Sequence, residues 1–501
     1  MPNFRIKIRT LSPVHVGDGG FYDGMTAFEY KRKYIPLNQA ALISAFKESG
    51  IEIRDFTKWV ITSKEDREYR KPRINDFIRY QYNDKMDQFA EALLETQKYQ
   101  LENLSVTRIN SDVNTCMKNM YNLPYLPGSA IKGAMVTAIL FNCLKNDEDF
   151  KKELNDILEE NYDFLSEVYE SLKEMKDLTE RKKDLGFKNY KEIGIPREQQ
   201  RDFRRILTMR ERPLKFIRQD LEQRMGFHGN RLDEICDMIQ EWRDGDKKTY
   251  RNLIRQEKRK YDNLKISIIS KQLKNLEEKF KNKYLAAKDN DLYKLMRFLQ
   301  IGDSSSPVPQ NGSPALSKVT NCLIIHQNPR ITMNLFFEMI DTNEILYSKF
   351  RLESNKLVFE HITFPEHSKR FIDIEYLKKR IYEFSNRVIQ EDSDYIERLS
   401  GYNYRFPINE IKMQLDDLQK RNRPQAPVLR VGKGQGFLSL TLALLIKDFM
   451  PEVYSKLIGV VQSDKNDPDK YPVTRRILTD GSGKYKLPGW LKLNFEEDEH
   501  D

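Results

Sequence analysis

A glycine-rich loop between a short predicted strand and an apolar helix carries residues suited to anion binding. It reads Arg430-Val431-Gly432-Lys433-Gly434-Gln435-Gly436-Phe437. Glycines let backbone amides approach an anion closely, and the basic side chains add positive charge. The spacing matches neither the phosphate loop of nucleotide hydrolases nor the dinucleotide fingerprint. We predict phosphate contacts from Arg430, Gly432, Lys433, Gly434, Gln435 and Gly436. The alternative is a tight turn that is needed only for helix packing.

A second candidate lies where an apolar helix is predicted to begin. Ser129 is placed to cap a helix that runs from about 129 to 144, and Lys132 lies in its first turn. A cation is unfavourable at a helix amino terminus unless an anion binds there, because the free amides and the helix dipole are also positive. We therefore predict that Ser129 and Lys132 bind an anionic group. The alternative is an ordinary capped helix with a solvent-facing lysine.

Basic residues also flank a predicted turn at 480–483. Arg475, Arg476 and Lys484 lie on its two sides, with Tyr485 and Trp490 nearby as surfaces on which bases could stack. Cations interleaved with aromatic rings suit single-stranded RNA. An edge hairpin kept soluble by its charges is the alternative.

His15 follows the first predicted strand and could serve an RNase as general acid or base. No partner stands at a recognisable spacing from it, and the nearest group of acids, Asp147–Asp149, begins a solvated helix. We therefore assign neither a catalytic residue nor a metal ligand. A contact of His15 with RNA, catalysis by His15 and a structural loop histidine are the three interpretations.

Composition and charge narrow the class of protein. The chain has 501 residues and a net charge of +9, and residues 201–300 hold 26 Lys and Arg against 16 Asp and Glu. Such a local excess of cations favours a polyanion, above all nucleic acid, although a solvated helical face has the same composition. The four cysteines lie far apart, which predicts reduced, structural thiols. No apolar run reaches the about 20 residues of a membrane-spanning helix, and no signal sequence is visible, so we expect a cytoplasmic protein.

Periodicity predicts an α+β fold that positions these loops. The segment Phe4–Arg9 alternates apolar with basic residues, so one face of its strand is apolar and the other carries Arg5, Lys7 and Arg9. Strands and helices then intermingle, long charged helices follow, and strands return after a Ser- and Pro-rich loop. We predict domains at 1–145, 146–300 and 301–501, the middle one helical.

Six motifs in this order resemble the RAMP-family protein that caps the backbone of type III-A CRISPR (Csm) complexes. They are LSPVHVG at 11–17, LPGSAIKGA at 126–134, GDS at 302–304, RVGKGQGF at 430–437, TRR at 474–476 and PGW at 488–490. The resemblance covers about 1–145 and 300–495. The helical segment between them makes the chain longer than expected of that family.

The resemblance implies two ferredoxin-like, RRM-related domains with a large, charged helical insertion. It implies a non-enzymatic subunit that holds the 3′ part of the crRNA and supports its maturation. The implied partners are crRNA, target RNA as a further candidate, other Csm backbone subunits and small subunits, and host nucleases for 3′ trimming, with no cofactor. Carried over by motif, the candidates for guide contacts are His15, Gly17, Ser129, Lys132 and the loop from Arg430 to Gly436.

Together, the basic glycine turns and helix starts are expected to form one cationic track for a single RNA strand. Two alternatives come from other functional classes. Related RAMP folds cleave CRISPR transcripts, so a metal-independent endoribonuclease is the main rival. The other is a protein–protein adaptor whose basic helices bind an acidic partner.

Overall fold

The structure of the chain is a computed structural model that mixes helices with β-sheets, as an α+β class requires. It describes residues 3–65, 72–97, 99–105, 108–166, 169, 218–219, 221–223, 228–230, 232–233, 235–237, 263–285, 299–307, 318–326, 331–352, 373–399, 408–435, 441–461, 474–479 and 484–497. The strands are β1 (Asn3–Thr10), β2 (Gly17–Tyr22), β3 (Ala27–Tyr30), β4 (Lys33–Pro36), β5 (Leu101–Asn103), β6 (Val113–Cys116), β7 (Leu299–Ile301), β8 (Lys318–His326), β9 (Ile331–Met339), β10 (Ile345–Leu352), β11 (Val428–Arg430), β12 (Thr474–Thr479), β13 (Tyr485–Lys486) and β14 (Trp490–Glu497). The helices are α1 (Gln39–Glu48), α2 (Ile53–Glu65), α3 (Ile74–Gln81), α4 (Met86–Thr96), α5 (Gly128–Lys145), α6 (Glu148–Glu160), α7 (Asn263–Leu285), α8 (Ile374–Leu399), α9 (Ile408–Arg421), α10 (Thr441–Phe449) and α11 (Pro451–Val461).

The first sheet has five antiparallel strands in the order β11-β14-β1-β10-β7, with β1 at its centre. Ile6 and Ile8 are fully buried whereas Arg5 and Arg9 are exposed, which confirms the alternation seen in the sequence. Helices α5 and α8 pack against each other and against strands of this sheet. This packing holds the ends of β11 and β14 where the glycine-rich loop begins.

The second sheet has nine strands, seven of them in the order β2-β6-β9-β8-β5-β4-β3, with β12 paired to β8 and β13 to β12. The small helices α1 to α4 close over one end of it. Their core is aromatic, with Phe46 and Phe89 at a ring distance of 5.3 Å and Phe77 packed beside Phe46. Burying several such rings supplies much of the driving force for this part of the fold.

Both sheets combine strands from the two ends of the chain, and in this respect the structure differs from the predicted domain boundaries. In the first sheet β1 pairs with β10 and β14, and in the second β6 pairs with β9 and β5 with β8. Each sheet therefore contains strands from both segments, 1–145 and 301–501. Local periodicity identifies a strand but contains no information about its partner, which explains the difference.

The chain divides into two compact units. The first comprises 1–152, 276–451 and 470–501 and holds both sheets. The second comprises 153–275 and 452–469 and overlaps the predicted helical segment 146–300. Its buried residues include Leu154, Leu158 and Leu165, whose spacing of four and seven residues is typical of one helical face.

The described cysteines are free thiols. Burial raises the pKa of Cys116, and it raises that of Cys143 to about 12, so these two thiols stay protonated at neutral pH. The side chain of Cys322 lies outside the described residues. Within the described ranges there is no cluster of three or more His, Cys, Asp or Glu suited to a metal ion. No described helix is long and apolar enough to cross a bilayer.

Candidate nucleic-acid interface

The glycine-rich loop packs directly on the loop that contains His15. Gly432–Gly434 forms a single 3-10 turn after β11, and Gly432 has φ +70°. A Cβ at Gly432 would lie 2.1 Å from the carbonyl oxygen of His15. The next amide, that of Lys433, donates a hydrogen bond of 2.9 Å to the same oxygen. Glycine is therefore required at 432 both by the left-handed backbone and by close packing.

Three of the motifs converge at this loop, although more than 400 positions of sequence separate the motif at 11–17 from the other two. The amide of Val431 donates to the carbonyl of Gly489 at 2.8 Å, and the amide of Gly489 donates to the carbonyl of Pro13 at 2.9 Å. A Cβ at Gly434 would lie 2.4 Å from the carbonyl oxygen of Pro488. Gly432 and Gly434 therefore pack closely on the backbone of the His15 and Pro488 segments, and these neighbours hold the loop in place.

Two cations with access to solvent, the exposed Lys433 and the half-buried Arg476, project from this base and are called the exposed pair below. Lys433 is exposed at the tip of the turn, and Nη1 of Arg476 donates to the carbonyl of Lys433 at 2.7 Å. Among the described residues, neither side chain forms an ion pair with a carboxylate. Two positive charges held together without a counter-ion attract a mobile anion.

His15 lies beneath the turn that carries Lys433, and its own side chain is buried. Only 3% of its surface is accessible, its Nδ1 lies 2.8 Å from the carbonyl oxygen of Glu338, and its ring packs edge-on against Phe337. Burial lowers the pKa of His15 to about 4, with a smaller contribution from the charge of Lys433 and against the opposing effect of the hydrogen bond to Glu338, so the ring is neutral at pH 7. The structure therefore corrects the expectation of an accessible imidazole, either as an RNA contact or as a catalytic base.

Gly17 begins the exposed strand β2, two residues after His15. A Cβ at Gly17 would lie 2.9 Å from Nε2 of His15, so a side chain here would press on the buried ring. The backbone of β2 is exposed from Gly17 to Gly20. This backbone remains a candidate for anion contacts beside Lys433.

A buried ion pair that sequence reasoning missed anchors the same region. Glu338 is inaccessible, and its carboxylate accepts hydrogen bonds from Nζ of Lys118 at 2.7 Å, from the amide of Cys116 at 2.9 Å and from the hydroxyl of Tyr99. Nζ of Lys118 also donates to the hydroxyl of Tyr22 at 2.8 Å. A single carboxylate within the otherwise apolar end of β9 was the available signal, because a buried charge requires partners.

Arg430 and Arg475 were predicted to contact phosphate, but their side chains are sequestered around Asp392. Nη1 of Arg430 lies 2.7 Å from one Asp392 oxygen and Nε of Arg475 lies 2.9 Å from the other. The side chains of Arg430 and Arg475 are 6% and 10% exposed. Burial alone would raise the pKa of Asp392, but the two guanidiniums outweigh it and hold that pKa below its ordinary value. These arginines consequently have a structural position.

The aromatic and amide groups near this cluster are also structural. Trp490 is fully buried, with the Arg430 guanidinium 5.4 Å from its ring, so it cannot serve as the stacking surface that we expected. Nε2 of Gln435 donates to the carbonyl of Arg430 at 2.8 Å and closes the turn. Lys484 is exposed at the start of the second hairpin strand. Gly436 and the turn 480–483 lie outside the described residues.

The start of α5 differs from the prediction by one residue. The helix begins at Gly128 after Pro127, and Ser129 is exposed in the first turn instead of capping it. Oδ1 of Asp303, from the GDS motif, accepts a hydrogen bond of 2.9 Å from the amide of Gly128. The sequence pattern could not show that a carboxylate from a distant segment occupies the helix terminus.

Lys132 is half-buried in the first turn of α5. Burial lowers its pKa, and among the described residues no carboxylate pairs with it. Two backbone hydrogen bonds connect this region to the His15 loop: Met117 to Val16 at 2.8 Å and Tyr125 to Met117 at 3.1 Å. The helix start and the exposed pair therefore belong to one hydrogen-bonded framework.

Comparison with known proteins identifies the framework. A model of the RAMP superfamily matches residues 7–306. No curated protein matches the sequence. One similar solved structure is a chain of a Csm–crRNA–target RNA ternary complex of a type III-A CRISPR-Cas system, studied by electron cryomicroscopy, with 15% identity and a TM-score of 0.55 over 98% of this chain and 100% of that chain. Another is the crystal structure of T. onnurineus Csm5, with 14% identity and a TM-score of 0.51 over 97% of this chain and 99% of that one. At these identities the two structures establish a shared fold.

Proposed function

The chain belongs to the RAMP superfamily, and on that premise we propose that it is an RNA-binding subunit of a type III-A CRISPR (Csm) ribonucleoprotein. In this role it caps the backbone of the complex at the 3′ end of the crRNA and supports crRNA maturation in antiviral defence. The fold shared with Csm5 and with a chain of a Csm–crRNA–target RNA complex supports the proposal. So does the order of the six sequence motifs.

The observation that carries the proposal is the exposed pair of Lys433 and Arg476. Close packing of Gly432 on His15 fixes the loop, and the hydrogen bond from Arg476 to Lys433 fixes the spacing of the two cations. A site whose loops are already fixed loses little conformational entropy when a phosphate binds. The pair therefore suits an RNA backbone, to which Arg and Lys contribute most of the affinity.

The proposed RNA contacts follow from exposure. Lys433 and Arg476 form the centre, and the backbone of Gly17 lies beside them. Ser129, Lys132 and Lys484 are proposed as further contacts. Residues His15, Arg430, Gly432, Gly434, Gln435 and Arg475 position this surface without offering free side chains to it. No residue is proposed to be catalytic, since the one candidate base, His15, is buried and neutral.

The finer organisation is part of the same proposal. The two sheets represent two ferredoxin-like, RRM-related RAMP folds that share strands, and the helical segment is an insertion. The proposed partners are the 3′ portion of the crRNA, target RNA as a further candidate, neighbouring Csm backbone and small subunits, and host nucleases that trim the crRNA. The proposed location is the cytoplasm.

The double variant Lys433→Gln/Arg476→Gln tests the site. Binding of the full chain to a labelled single-stranded crRNA should weaken, and the slope of log K against log salt should fall by about 1.4, since each single-strand phosphate contact contributes about 0.7. The matched control is Arg54→Gln/Lys58→Gln, which removes the same charges from exposed positions of α2. Unchanged affinity and slope in the first variant, with native circular dichroism, would remove the pair from the RNA site.

A further inference from the structure

The outer face of the five-stranded sheet carries an unusual concentration of positive charge. The register places residues of β1, β10 and β14 with the same parity side by side on this face. Its cations are Arg5, Lys7, Arg9, Lys349, Arg351 and Lys492, and its one carboxylate in these strands is Glu496. Arg5, Lys7 and Arg9 belong to β1, Lys349 and Arg351 to β10, and Lys492 to β14, so pairing of distant strands creates the patch.

Like charges lie directly opposite each other at two places on this face. Arg5 is paired with Lys349, and Arg9 is paired with Lys492. Directly opposed like charges destabilise a sheet. Arg5 also lies opposite Glu496 of β14, which offsets part of its repulsion, whereas the residues opposite Arg9 are Ile345 and Lys492. Within the described ranges, none of the four cationic side chains forms an ion pair with a carboxylate. The folded state therefore retains a repulsion that a bound anion would relieve.

The usual structural reason for charged strands does not apply here. Lysine on an edge strand prevents edge-to-edge aggregation, but β1 is the central strand of its sheet and is paired on both sides. The opposite face of β1 is apolar and buried through Ile6 and Ile8, so the basic residues do not result from a strand that is polar throughout. The charge belongs to one face alone.

An aromatic ring lies in the middle of the cations. Tyr347 is paired with Lys7 and is half-buried, and the guanidinium of Arg5 lies 3.7 Å from the centre of its ring. Asn494 flanks Lys7 on the other side. Aromatic rings and guanidinium planes both stack on unpaired bases, and an amide can hydrogen-bond to base edges. An acidic protein surface would need the cations but would make less use of this combination.

We infer that this sheet face, separate from the loop site proposed above, is a second binding surface for single-stranded RNA. Phosphates lie on the cations of β1, β10 and β14, and a base stacks at Arg5 and Tyr347. The cationic area spans about 13 Å along β1 and about 10 Å across the three β-strands, which suits a short stretch of single-stranded RNA. The inference rests on residues that the loop site does not use, so the two can succeed or fail independently.

Replacing Lys7, at the centre of the cationic face, together with Lys349, which lies opposite Arg5, tests this RNA-binding surface. In Lys7→Gln/Lys349→Gln, we expect the full chain to bind labelled oligouridine with a salt slope lower by about 1.4 than the unmodified chain. The control Lys58→Gln/Lys420→Gln removes two exposed lysines from α2 and α9 and should leave the slope unchanged. In addition, Tyr347→Leu should weaken binding about fivefold or more, whereas Tyr347→Phe retains the ring and the affinity.

The same titrations separate this surface from the loop site. An unchanged slope and affinity in Lys7→Gln/Lys349→Gln, together with a loss in Lys433→Gln/Arg476→Gln, would overturn the sheet inference and leave the proposed function standing. A loss of affinity and slope in Lys7→Gln/Lys349→Gln, together with unchanged values in Lys433→Gln/Arg476→Gln, would support the sheet surface and remove the exposed pair from the RNA site. If the sheet variant keeps its RNA affinity but loses a protein that co-purifies after RNase treatment, the face binds an acidic protein and the RNA inference is wrong.

Discussion

Arginines and lysines from the same two motifs, RVGKGQGF and TRR, end in opposite environments. The side chains of Arg430 and Arg475 are sequestered around Asp392. Lys433 and Arg476 come three positions and one position later in the chain; Lys433 is exposed, Arg476 is half-buried, and neither pairs with a carboxylate among the described residues. In an extended segment, neighbouring side chains point to opposite sides, so Arg475 and Arg476 diverge. The presence of one buried aspartate then decides which cations are structural.

The contrast shows that a basic motif is not uniformly a binding motif. A buried guanidinium needs a carboxylate to offset its lost hydration, and once paired it has little charge to offer a ligand. An exposed cation without a partner retains its full attraction for phosphate. The two environments depend on each other, because the buried cluster holds the strand ends from which the exposed pair projects.

Removing the carboxylate should produce the largest effect. Asp392→Asn leaves two buried guanidiniums without their partner, and we expect the free energy of unfolding to fall by about 3–5 kcal/mol. Urea denaturation monitored by circular dichroism measures the change. Asp394→Asn, two positions further along α8, changes a half-buried carboxylate that accepts a hydrogen bond from Gln390 and should alter the free energy of unfolding by about 0.5 kcal/mol or less. A similarly small effect at 392 would show that the buried cluster is not structural.

The pH dependence of this cluster has a definite sign. The two arginines hold the pKa of Asp392 below the unfolded value of about 4, so the cluster stabilises the folded chain above that pH. This contribution is lost as the pH falls further and the carboxylate becomes protonated. Asp392→Asn should therefore show less acid sensitivity below about pH 4.

The buried histidine beneath the exposed pair should make folding sensitive to mild acid. The pKa of His15 is about 4 in the folded chain and about 6.5 when unfolded, so the unfolded state gains a proton first as pH falls. We expect stability to decrease by about 3 kcal/mol between pH 7 and pH 4. His15→Asn keeps a donor for the Glu338 carbonyl and should flatten this dependence, measured by urea denaturation at each pH.

The control for this titration is His228→Asn. His228 is exposed, and its replacement changes none of the contacts described for His15. If the profile of His15→Asn is as steep as that of the wild type, then His15 is not the group that titrates.

The rigidity of the loop can be tested at its tightest contact. In Gly432→Ala, the added Cβ meets the His15 carbonyl and a positive φ is imposed on alanine, so we expect a loss of about 1–3 kcal/mol in stability and weaker RNA binding. Gly133→Ala is the matched control, for which we expect an increase in stability. Its Cβ meets open space on α5, and alanine should stabilise the helix by about 0.5–1 kcal/mol. Equal effects of the two changes would contradict the packing argument.

The smallest effect is expected at the flank of the proposed interface. Lys132→Gln should weaken binding of single-stranded RNA by about threefold to tenfold, as for one phosphate contact, without lowering the melting temperature. Lys145→Gln, at the other end of α5 and exposed, serves as the control. Equal affinities of these two variants would exclude Lys132 from the interface and limit the site to the exposed pair.

The sequence by itself determined the local features. Alternation in β1 identified its buried and basic faces, the glycine and proline content placed the loops, and the ordered motifs indicated the RAMP superfamily, which the family comparison confirmed. These inferences succeed because they depend on neighbours within a few residues, where periodicity and turn chemistry act directly.

Tertiary structure alone decided which basic residues stay available. Asp392 neutralises Arg430 and Arg475, Asp303 occupies the start of α5, and β10 with β14 brings Lys349 and Lys492 beside Arg5 and Arg9. Each of these contacts joins residues far apart in the chain, so no local pattern could reveal them. The physical reason is that the charge environment of a side chain depends on distance in space, and only folding fixes that distance.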